Sequence, residues 1–358
     1  MTATAEQSNK SASETPKTLN TEKLVQDILS DIDRDREREI VSRRYGLFDR
    51  KETLEQIGEL LGITRERVRQ LEKSVVARLK TLAEAGQLPI AKTVEQALVQ
   101  YLDAHGSAAR ITDISAAVTA ENSRTDQSRV AFLANLCPGL TIIEEDDQHY
   151  HAVGCAHVRN TAAMKADIAK LVTAIKEHGQ PLGIADAASK AGIADAAQAG
   201  ALASASKKLA TLNGQWGLVK WPMVNPKNIR DKIYVILKER GQHMHFNEIA
   251  EAIKKSDFKR KDVTTQAIHN ELIKDKRFVL IGRGIYALKE WGYKKGTVAD
   301  IISEVLREAG EPLHRDEIVQ RVLKSRFVKE TTILLNLQGK SQFKRVAKAT
   351  YELSEGTE

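Results

Sequence analysis

The sequence predicts a mainly α-helical protein made of small units in tandem, with a little β-structure in each unit. Two observations lead to this fold class. Apolar residues recur at i, i+3, i+4 and i+7 along most of the chain, which places one apolar stripe on each helix. In addition, an amphipathic helix that ends at a glycine occurs four times, at Gly106, Gly179, Gly241 and Gly310. Glycine suits a left-handed helix end, so these positions indicate an internal repeat.

Each repeat continues in the same order after its glycine. Two further helices follow, and the unit closes on two short extended segments, as at residues 278–281 and 285–288. Three helices and a two-stranded wing within about 65 residues is the winged-helix plan. We therefore expect a mainly α fold, with an N-terminal helix-turn-helix followed by four tandem winged-helix units with small two-stranded β-wings. The predicted boundaries are a disordered tail at 1–24, the helix-turn-helix at 25–88, and winged units at 93–158, 160–224, 227–293 and 295–354.

Composition narrows the possible classes of function. The chain has 358 residues, and 55 Lys and Arg exceed 48 Asp and Glu, for a formal net charge of +7. This excess favours a polyanionic partner, most simply nucleic acid. Two cysteines are too few for a disulfide framework and favour a reducing compartment. No apolar run of the length that spans a bilayer and no targeting peptide is recognisable, so we expect a cytoplasmic, nucleoid-associated protein without membrane contact.

The N-terminal unit has a helix-turn-helix pattern. An arginine-rich helix ends at Tyr45–Gly46, and Thr53 with Gln56 forms a capping box for the next helix. Gly62 makes a sharp turn, and Thr64 is a suitable N-cap for a third helix. The buried stripe of the second helix is expected to contain Leu54, Ile57, Leu60 and Leu61. The third helix is expected to bury Val68, Leu71, Val75, Leu79 and Leu82.

The outer face of the third helix carries side chains suited to reading DNA. These are Arg65, Glu66, Arg69, Gln70 and Lys73, at helical spacing. In the major groove, arginine donates to guanine, glutamine pairs with adenine, and glutamate accepts from cytosine. A helix that enters the groove with its N-terminal turn would present this set to the bases. An arginine-rich amphipathic helix can also be only a solvated face with local ion pairs.

Residues 36–47 (RERE IVSRRYGL), 53–58 (TLEQIG) and 62–72 (GITRERVRQLE) together resemble region 4 of the sigma-70 family of bacterial RNA polymerase sigma factors. The resemblance covers about fifty residues, roughly 34–82. It implies recognition of a promoter −35 element and docking on the polymerase β-flap. The implied DNA-contacting residues are Thr64, Arg65, Glu66, Arg67, Arg69, Gln70 and Lys73, with Arg43 and Arg44 as backbone or polymerase contacts. We also expect this chain to lack the aromatic promoter-melting region of a complete sigma factor.

The third winged unit has a second likeness. Residues 241–250 and 277–288, with Trp291, resemble the HARE-HTH family, clearest over about 227–293 and found in the delta subunit of some bacterial RNA polymerases. Its basic run at 259–261 and its third helix suggest a second DNA contact, or alternatively a protein-docking module. The candidate contacts are Thr265, Gln266, His269, Asn270, Arg277 and Arg283. The first winged unit instead carries an acidic run at 144–147, which would repel DNA and favours a protein partner.

Other kinds of site find little support. His149, His151, Cys155 and His157 lie close in sequence, but one wing strand without a second ligand pair favours an exposed polar wing over zinc binding. No phosphate-binding loop, nucleophile elbow or paired-carboxylate motif occurs, so we expect no enzyme, no cofactor, no metal and no small-molecule substrate. The leading hypothesis is a bacterial DNA-binding transcription protein that works with RNA polymerase at −35-like DNA. The alternatives are a delta-like accessory or architectural subunit without base specificity and, more remotely, a restriction-system specificity subunit.

Overall fold

The computed structural model of the protein describes residues 19–354, which divide into two compact units. The first unit contains the described residues up to 210 and residues 214–218, and the second contains 211–213 and the described residues from 219 onward. Both units are mainly helical, and four small three-stranded antiparallel sheets lie within the described residues. No helix in this part of the chain is long and apolar enough to cross a membrane.

The first unit begins with four helices and continues with two copies of one pattern, helix–strand–helix–helix–strand–strand. Its opening helices are α1 (Thr21–Ser30), α2 (Asp35–Tyr45), α3 (Leu54–Leu61) and α4 (Arg65–Glu84). Repeat 1 (residues 89–155) consists of α5 (Pro89–Ala104), β1 (Ala108–Arg110), α6 (Ile111–Val118), α7 (Arg124–Leu136), β2 (Leu140–Ile143) and β3 (Ala152–Cys155). Repeat 2 (residues 161–218) consists of α8 (Thr161–His178), β4 (Leu182–Gly183), α9 (Ile184–Ala191), α10 (Ala196–Ser204), β5 (Leu209–Leu212) and β6 (Gln215–Leu218).

The second unit repeats the same pattern twice more. Repeat 3 (residues 229–288) consists of α11 (Ile229–Arg240), β7 (Met244–His245), α12 (Phe246–Lys255), α13 (Thr265–Lys274), β8 (Phe278–Gly282) and β9 (Ile285–Leu288). A short 3-10 helix, Lys289–Trp291, follows it. Repeat 4 (residues 298–353) consists of α14 (Val298–Ala309), β10 (Leu313–His314), α15 (Arg315–Ser325), α16 (Glu330–Gly339), β11 (Phe343–Ala347) and β12 (Thr350–Leu353).

Each sheet contains one strand that the sequence did not predict. In all four sheets the last strand of the repeat lies in the centre, between the hairpin partner and a short strand that follows the first helix. In repeat 3, for example, Met244 pairs with Tyr286 and His245 pairs with Ile285. The predicted two-stranded wings are therefore three-stranded. A strand of two or three residues is too short to show alternation, and its partner lies far along the chain.

The helix-turn-helix forms as its local signals indicate. The Thr53 hydroxyl accepts from the Gln56 backbone N–H at 3.2 Å, while the Gln56 side chain accepts from the Thr53 N–H at 2.9 Å. Gly62 turns the chain with a φ of 64°, in the left-handed region that disfavours a side chain. Ile57 is buried, but Leu60, predicted to be buried with it, is 55% exposed. Leu60 follows Ile57 by three residues, at the edge of a stripe that Leu61 already completes.

The helix-turn-helix and repeat 1 share one hydrophobic core. It contains Val75 and Leu79 of α4 together with Leu98 of α5 and Phe132 of α7, all of them buried. The predicted boundary between 25–88 and 93–158 therefore does not separate two independent cores. The reason is the length of α4, whose 20 residues extend past the helix-turn-helix so that its second half packs on repeat 1.

Helix α1 belongs to the same core, which corrects the predicted tail. Asn20 caps the helix by accepting from the Lys23 N–H at 3.0 Å. Thr21 is buried, and Val25 and Ile28 pack in the shared core. Residues 21–24, predicted as part of a disordered tail, are thus helical because a cap precedes an apolar stripe that has a surface to cover. The remaining part of that predicted tail, residues 1–18, lies outside the described residues.

Candidate nucleic-acid interface

The two halves of helix α4 pack into two different cores. Its N-terminal half contributes Val68 to a small core with Ile40 of α2 and Ile57 of α3. Its C-terminal half is anchored by Val75 and Leu79 in the core shared with repeat 1. The Thr64 hydroxyl accepts from the Arg67 N–H at 3.2 Å and so satisfies one of the free donors of the first turn. The helix is therefore a rigid support for whatever its outer face carries.

The predicted reading face of α4 is open to solvent. Arg65, Glu66, Arg67, Gln70 and Lys73 are exposed, and the Arg69 side chain is 41% exposed. None of these side chains takes part in the cores that hold α4. The polar tips of the predicted base-reading residues therefore point away from the interior, which is the arrangement that groove recognition needs.

Arginine side chains on the same face form local ion pairs with nearby glutamates. Arg69 Nε donates to Glu66 Oε2 at 2.9 Å, and Arg65 Nη1 donates to Glu55 Oε1 at 2.8 Å. The hydrogen bond from Arg69 lowers the pKa of the Glu66 carboxyl, which therefore stays ionised near neutral pH. Ion pairs at exposed positions are weak, because water competes for both partners. Bases can therefore replace these partners at low cost.

Arg43 and Arg44 are partly exposed, and each already has partners within the protein. Arg43 donates to Glu39 at 3.0 Å and to Glu52 at 2.8 Å, and these two carboxylates raise the pKa of its guanidinium. Arg44 Nη1 donates to the Glu52 backbone carbonyl at 3.2 Å. Both side chains brace α2 against the loop that leads to α3. The sequence signal for this role is the acidic residue four positions before Arg43, at helical spacing.

In repeat 3 the six candidate contacts differ in how far they are exposed to solvent. Gln266, Asn270 and Arg283 are exposed, and Gln266 donates to Asn270 at 3.0 Å. Thr265 is half-buried, directly after the Thr264 cap of α13. His269 is also half-buried, with its ring centroid 4.9 Å from that of Phe246.

Arg277 has a structural role instead of a groove-facing one. Its Nη2 donates to Asp275 at 2.8 Å, and both Nη atoms donate to Asp231 at 3.2 Å. Its guanidinium carbon also lies 5.3 Å from the centroid of the Tyr234 ring. These contacts join α11 to the start of β8. The prediction for Arg277 missed this because Asp231 lies 46 residues away in the sequence.

The four residues considered for zinc do not come together as a set. His149 is buried and its Nδ1 lies 2.9 Å from Asp146, while Cys155 and His157 cluster with Asp103. Burial and the Asp103 carboxylate raise the pKa of the Cys155 thiol to about 11, so it stays protonated near neutral pH. The expectation of an exposed polar wing is also wrong for β3, which is buried along its whole length as the central strand of its sheet.

Comparison with known proteins gives a match in the helix-turn-helix. The family model for sigma-70, region 4, matches residues 34–81. The RNA polymerase principal sigma factor HrdC of Streptomyces coelicolor is 56% identical over 46 residues, which is 13% of this chain and 14% of that protein. The principal sigma factor HrdD of Streptomyces griseus is 42% identical over 66 residues, 18% of this chain and 19% of that one.

The match extends beyond these two bacterial proteins and remains confined to the same short region. RNA polymerase sigma factor sigB of Arabidopsis thaliana is 48% identical over 46 residues, 13% of this chain and 8% of that protein. The chain thus spans less than a fifth of the length of these relatives. The likeness to a sigma factor belongs to α2, α3 and most of α4, which are the elements that present the exposed face described above.

Proposed function

We propose that this protein binds promoter DNA through α4 and works with RNA polymerase. The observation that carries the proposal is the exposed face of Arg65, Glu66, Arg69 and Gln70, on a capped helix inside the segment that matches sigma-70 region 4. The sequence read is a −35-like element. Thr64, Arg67 and Lys73 flank the reading face and contact phosphates.

The chemistry of the face supports sequence reading. Arginine and glutamine each make bidentate contacts with one base in the major groove, and such pairs discriminate against the wrong base. In the free protein these groups satisfy one another, since Arg69 and Gln70 both lie within hydrogen-bonding distance of Glu66. Binding exchanges these weak local pairs for contacts to bases, so the energetic cost of opening the face is small.

A titration of the full chain with duplex DNA tests the proposal. A duplex with a consensus −35 element and a scrambled duplex of equal length and composition are compared by fluorescence anisotropy. We expect tighter binding to the consensus duplex, and an Arg69→Ala variant should lose about tenfold or more of that preference. Lys92→Ala, which removes an exposed positive charge from α5, is the matched control and should keep the preference. Equal affinity of the unaltered protein for both duplexes would overturn the base-reading claim.

Contact with the polymerase β-flap is a separate part of the proposal, supported by the region 4 match alone. It predicts that the protein co-purifies with RNA polymerase after all nucleic acid has been digested. Retention on the polymerase after nuclease treatment would support a protein–protein contact. Complete release would show that both proteins only share DNA, and would remove the β-flap from the proposal.

Repeat 3 supplies a second, non-specific DNA contact in this proposal. Its resemblance to HARE-HTH winged helices is joined by an exposed basic loop, residues 259–261. The loop is held from below by the buried Lys232, whose Nζ donates to the Lys259 and Arg260 carbonyls at 2.8 and 2.6 Å. A fixed loop loses little conformational freedom on binding a phosphate backbone. With Gln266, Asn270 and Arg283 it forms one candidate face.

The alternative function, an accessory or architectural subunit without base specificity, is favoured by one specific observation. In repeat 1 the last helix, α7, is covered by α1, α4 and α5, so the pattern is used there for packing on protein. If all four repeats serve in this way, affinity for DNA would not depend on sequence. The consensus and scrambled duplexes discriminate the two functions. In either case we propose a non-enzymatic protein that needs no cofactor and acts in the cytoplasm, at the nucleoid.

A further inference from the structure

A cleft in the first unit is not used by the proposed function. It has a volume of about 710 Å³ and lies between the loop that joins α2 to α3 and the facing side of repeat 1. One wall is formed by residues 48–51, and the other by the N-terminal ends of α6 and α7 and by wing residues 145, 150 and 151. The volume is in the range of sites that bind small organic molecules.

The lining of the cleft is cationic. Arg50, Lys51, Arg110 and Arg124 line it, and its two acidic residues are Asp49 and Glu145. Glu145 is already engaged, because Lys207 donates to it at 2.7 Å. Arg50, Lys51 and Arg124 are exposed and form no ion pair within residues 19–354. Three exposed cations, with Asp49 as the remaining carboxylate, therefore line a space large enough for a ligand.

Two helices begin at the same place. Helix α6 starts at Ile111, and no side chain caps its first turn. Helix α7 starts nearby at Arg124, but its first turn is already capped, because the Ser123 hydroxyl accepts from the Asp126 N–H at 3.0 Å and Asp126 accepts from the Ser123 N–H at 3.1 Å. The free N–H groups at the cleft are therefore those of α6. The partial positive charge and free N–H groups of a helix N-terminus favour an anion. Their convergence with three unpaired cationic side chains indicates a negatively charged ligand.

His151 contributes a partly buried polar side chain to the wall of the cleft. Its ring lines the cleft, and its Nε2 is inaccessible to solvent and has no hydrogen-bond partner among the described residues. Burial, with the nearby Lys51 charge, lowers the pKa of His151, so its ring is neutral near neutral pH. Because water cannot reach its Nε2, His151 forms an uncharged part of the wall and does not bond to a ligand in the cleft.

The ligand also has an apolar surface to contact. Phe48 at the mouth of the cleft is 44% exposed, although it is a large aromatic side chain. Tyr150 is less available, because Arg110 lies 4.2 Å from its ring centroid and Lys207 lies 5.4 Å from it. A flat ring placed against Phe48 would leave the charged groups behind it free for phosphate oxygens.

We propose that this cleft binds a nucleoside diphosphate or a closely similar organic phosphate. The phosphates lie between Lys51 on one wall and Arg124 with the α6 N-terminus on the other. The base packs on Phe48. The site lies outside the reading face of α4, and it does not depend on the proposed recognition of promoter DNA.

Isothermal titration calorimetry of the full chain tests this inference, with ADP, adenosine and inorganic pyrophosphate as probes. We expect ADP to bind with a Kd below about 1 mM, pyrophosphate to bind more weakly, and adenosine to give no signal. Lys51→Ala and Arg124→Ala should each weaken ADP binding by about tenfold. Lys92→Ala, an exposed cation outside the cleft, should leave it unchanged. Circular dichroism checks that each variant is folded.

Three outcomes would overturn the inference. Absence of binding by ADP at millimolar concentration would remove the ligand class. An equal loss of affinity in Lys51→Ala and Lys92→Ala would show that net charge alone attracts the probe. Displacement of ADP by a duplex would assign the cleft to the phosphates of the DNA strand instead of a small molecule.

Discussion

Helix α7 of repeat 1 and helix α13 of repeat 3 occupy the same place in the repeat pattern and are used in opposite ways. In α7, seven side chains are buried, and they include the charged Arg129. In α13 only Ile268 and Leu272 are buried, and the polar residues Gln266 and Asn270 face solvent. The third helix of a winged unit is the one expected to enter a DNA groove. In repeat 1 this helix is buried by its neighbours, and in repeat 3 its polar side chains are exposed.

The difference shows that the same repeat pattern can either pack its third helix on other helices or leave that helix exposed. Helix α7 packs on α1, α4 and α5, so repeat 1 holds the second half of α4 in place. The acidic wing of repeat 1 takes no part in this core; Lys207 of repeat 2 donates to Glu145 at 2.7 Å and Lys165 donates to Asp146 at 3.0 Å. One copy of the pattern supports α4, and another copy leaves its third helix exposed. Variants in α7 of repeat 1 and in repeat 3 should therefore differ in their effects on stability and on DNA binding.

The largest effect is expected from opening the shared core. Phe132 on α7 is completely buried, and Phe132→Ala should lower the free energy of unfolding by about 3–5 kcal/mol, because it removes a large apolar side chain and leaves a cavity. Gln266→Ala on α13 is the counterpart and should change it by less than about 0.5 kcal/mol. Urea unfolding of the full chain followed by circular dichroism measures both. Similar values for the two variants would contradict the contrast between the helices.

A smaller loss is expected from removing the buried charge of α7. Arg129 Nε donates to the Leu47 carbonyl at 2.7 Å, and its Nη2 donates to Glu22 at 2.9 Å. Arg129→Met keeps much of the apolar stem and should lower the free energy of unfolding by about 2 kcal/mol, through an unpaired buried carbonyl and a lost charged hydrogen bond. Arg283→Met in the exposed wing of repeat 3 is the control. The same urea titration applies, and an Arg129→Met variant as stable as the control would show that the charge does not hold α1 in place.

If repeat 3 contacts DNA, its exposed basic side chains should contribute to the salt dependence of DNA binding. A variant with Lys261→Ala and Arg283→Ala loses two cationic side chains from the candidate face, so the slope of log affinity against log salt should fall by about two. Arg124→Ala at the start of α7 should leave the slope unchanged. Anisotropy titrations over a series of salt concentrations measure these slopes. A larger fall for Arg124→Ala than for the double variant would reverse the assignment of the two repeats.

The smallest effect concerns the wing of repeat 1. Asp146 accepts from Lys165 at 3.0 Å and from the N–H groups of Gln148 and His149, and these bonds hold the pKa of its carboxyl well below its usual value. Its contribution to stability is therefore present above about pH 4 and is lost as the pH falls towards the lowered pKa. Asp146→Asn should lower Tm slightly at pH 7. At pH 2–3 the difference in Tm between this variant and the unaltered protein should be smaller. A gap in Tm that stays constant over this pH range would show that the carboxylate is not held in this way.

Much of the fold could be predicted from local signals. Thr53, Gly62 and Thr64 indicate the turn and caps of the helix-turn-helix, and each of them has that role in the structure. The four glycine-terminated helices likewise mark the first helix of each repeat. What could not be predicted depends on partners far along the chain. The short β7 strand exists only because β9 lies beside it, and α1 is ordered because α7 offers a surface to cover.

The candidate site shows the same limit. Exposure of Arg65, Glu66 and Gln70 followed from helical spacing alone, since the opposite face carries Val68. The contact of Arg43 with Glu52 and that of Arg277 with Asp231 did not, because tertiary structure brings these partners together. The cleft lined by Lys51 and Arg124 also has no signature in the sequence. Its walls are 59 or more residues apart in the sequence and meet only because repeat 1 packs against the helix-turn-helix.

The proposed function depends on whether side chains on the exposed face of α4 contact DNA bases. Selection of duplexes from a random library by the full chain tests this most directly, with the unaltered protein and an Arg65→Ala, Arg69→Ala, Gln70→Ala variant run in parallel. We predict that the unaltered protein enriches one short motif similar to a −35 element, and that the triple variant enriches none while still binding DNA through phosphates. Recovery of the same motif by both proteins, or of no motif by the unaltered one, would contradict the account.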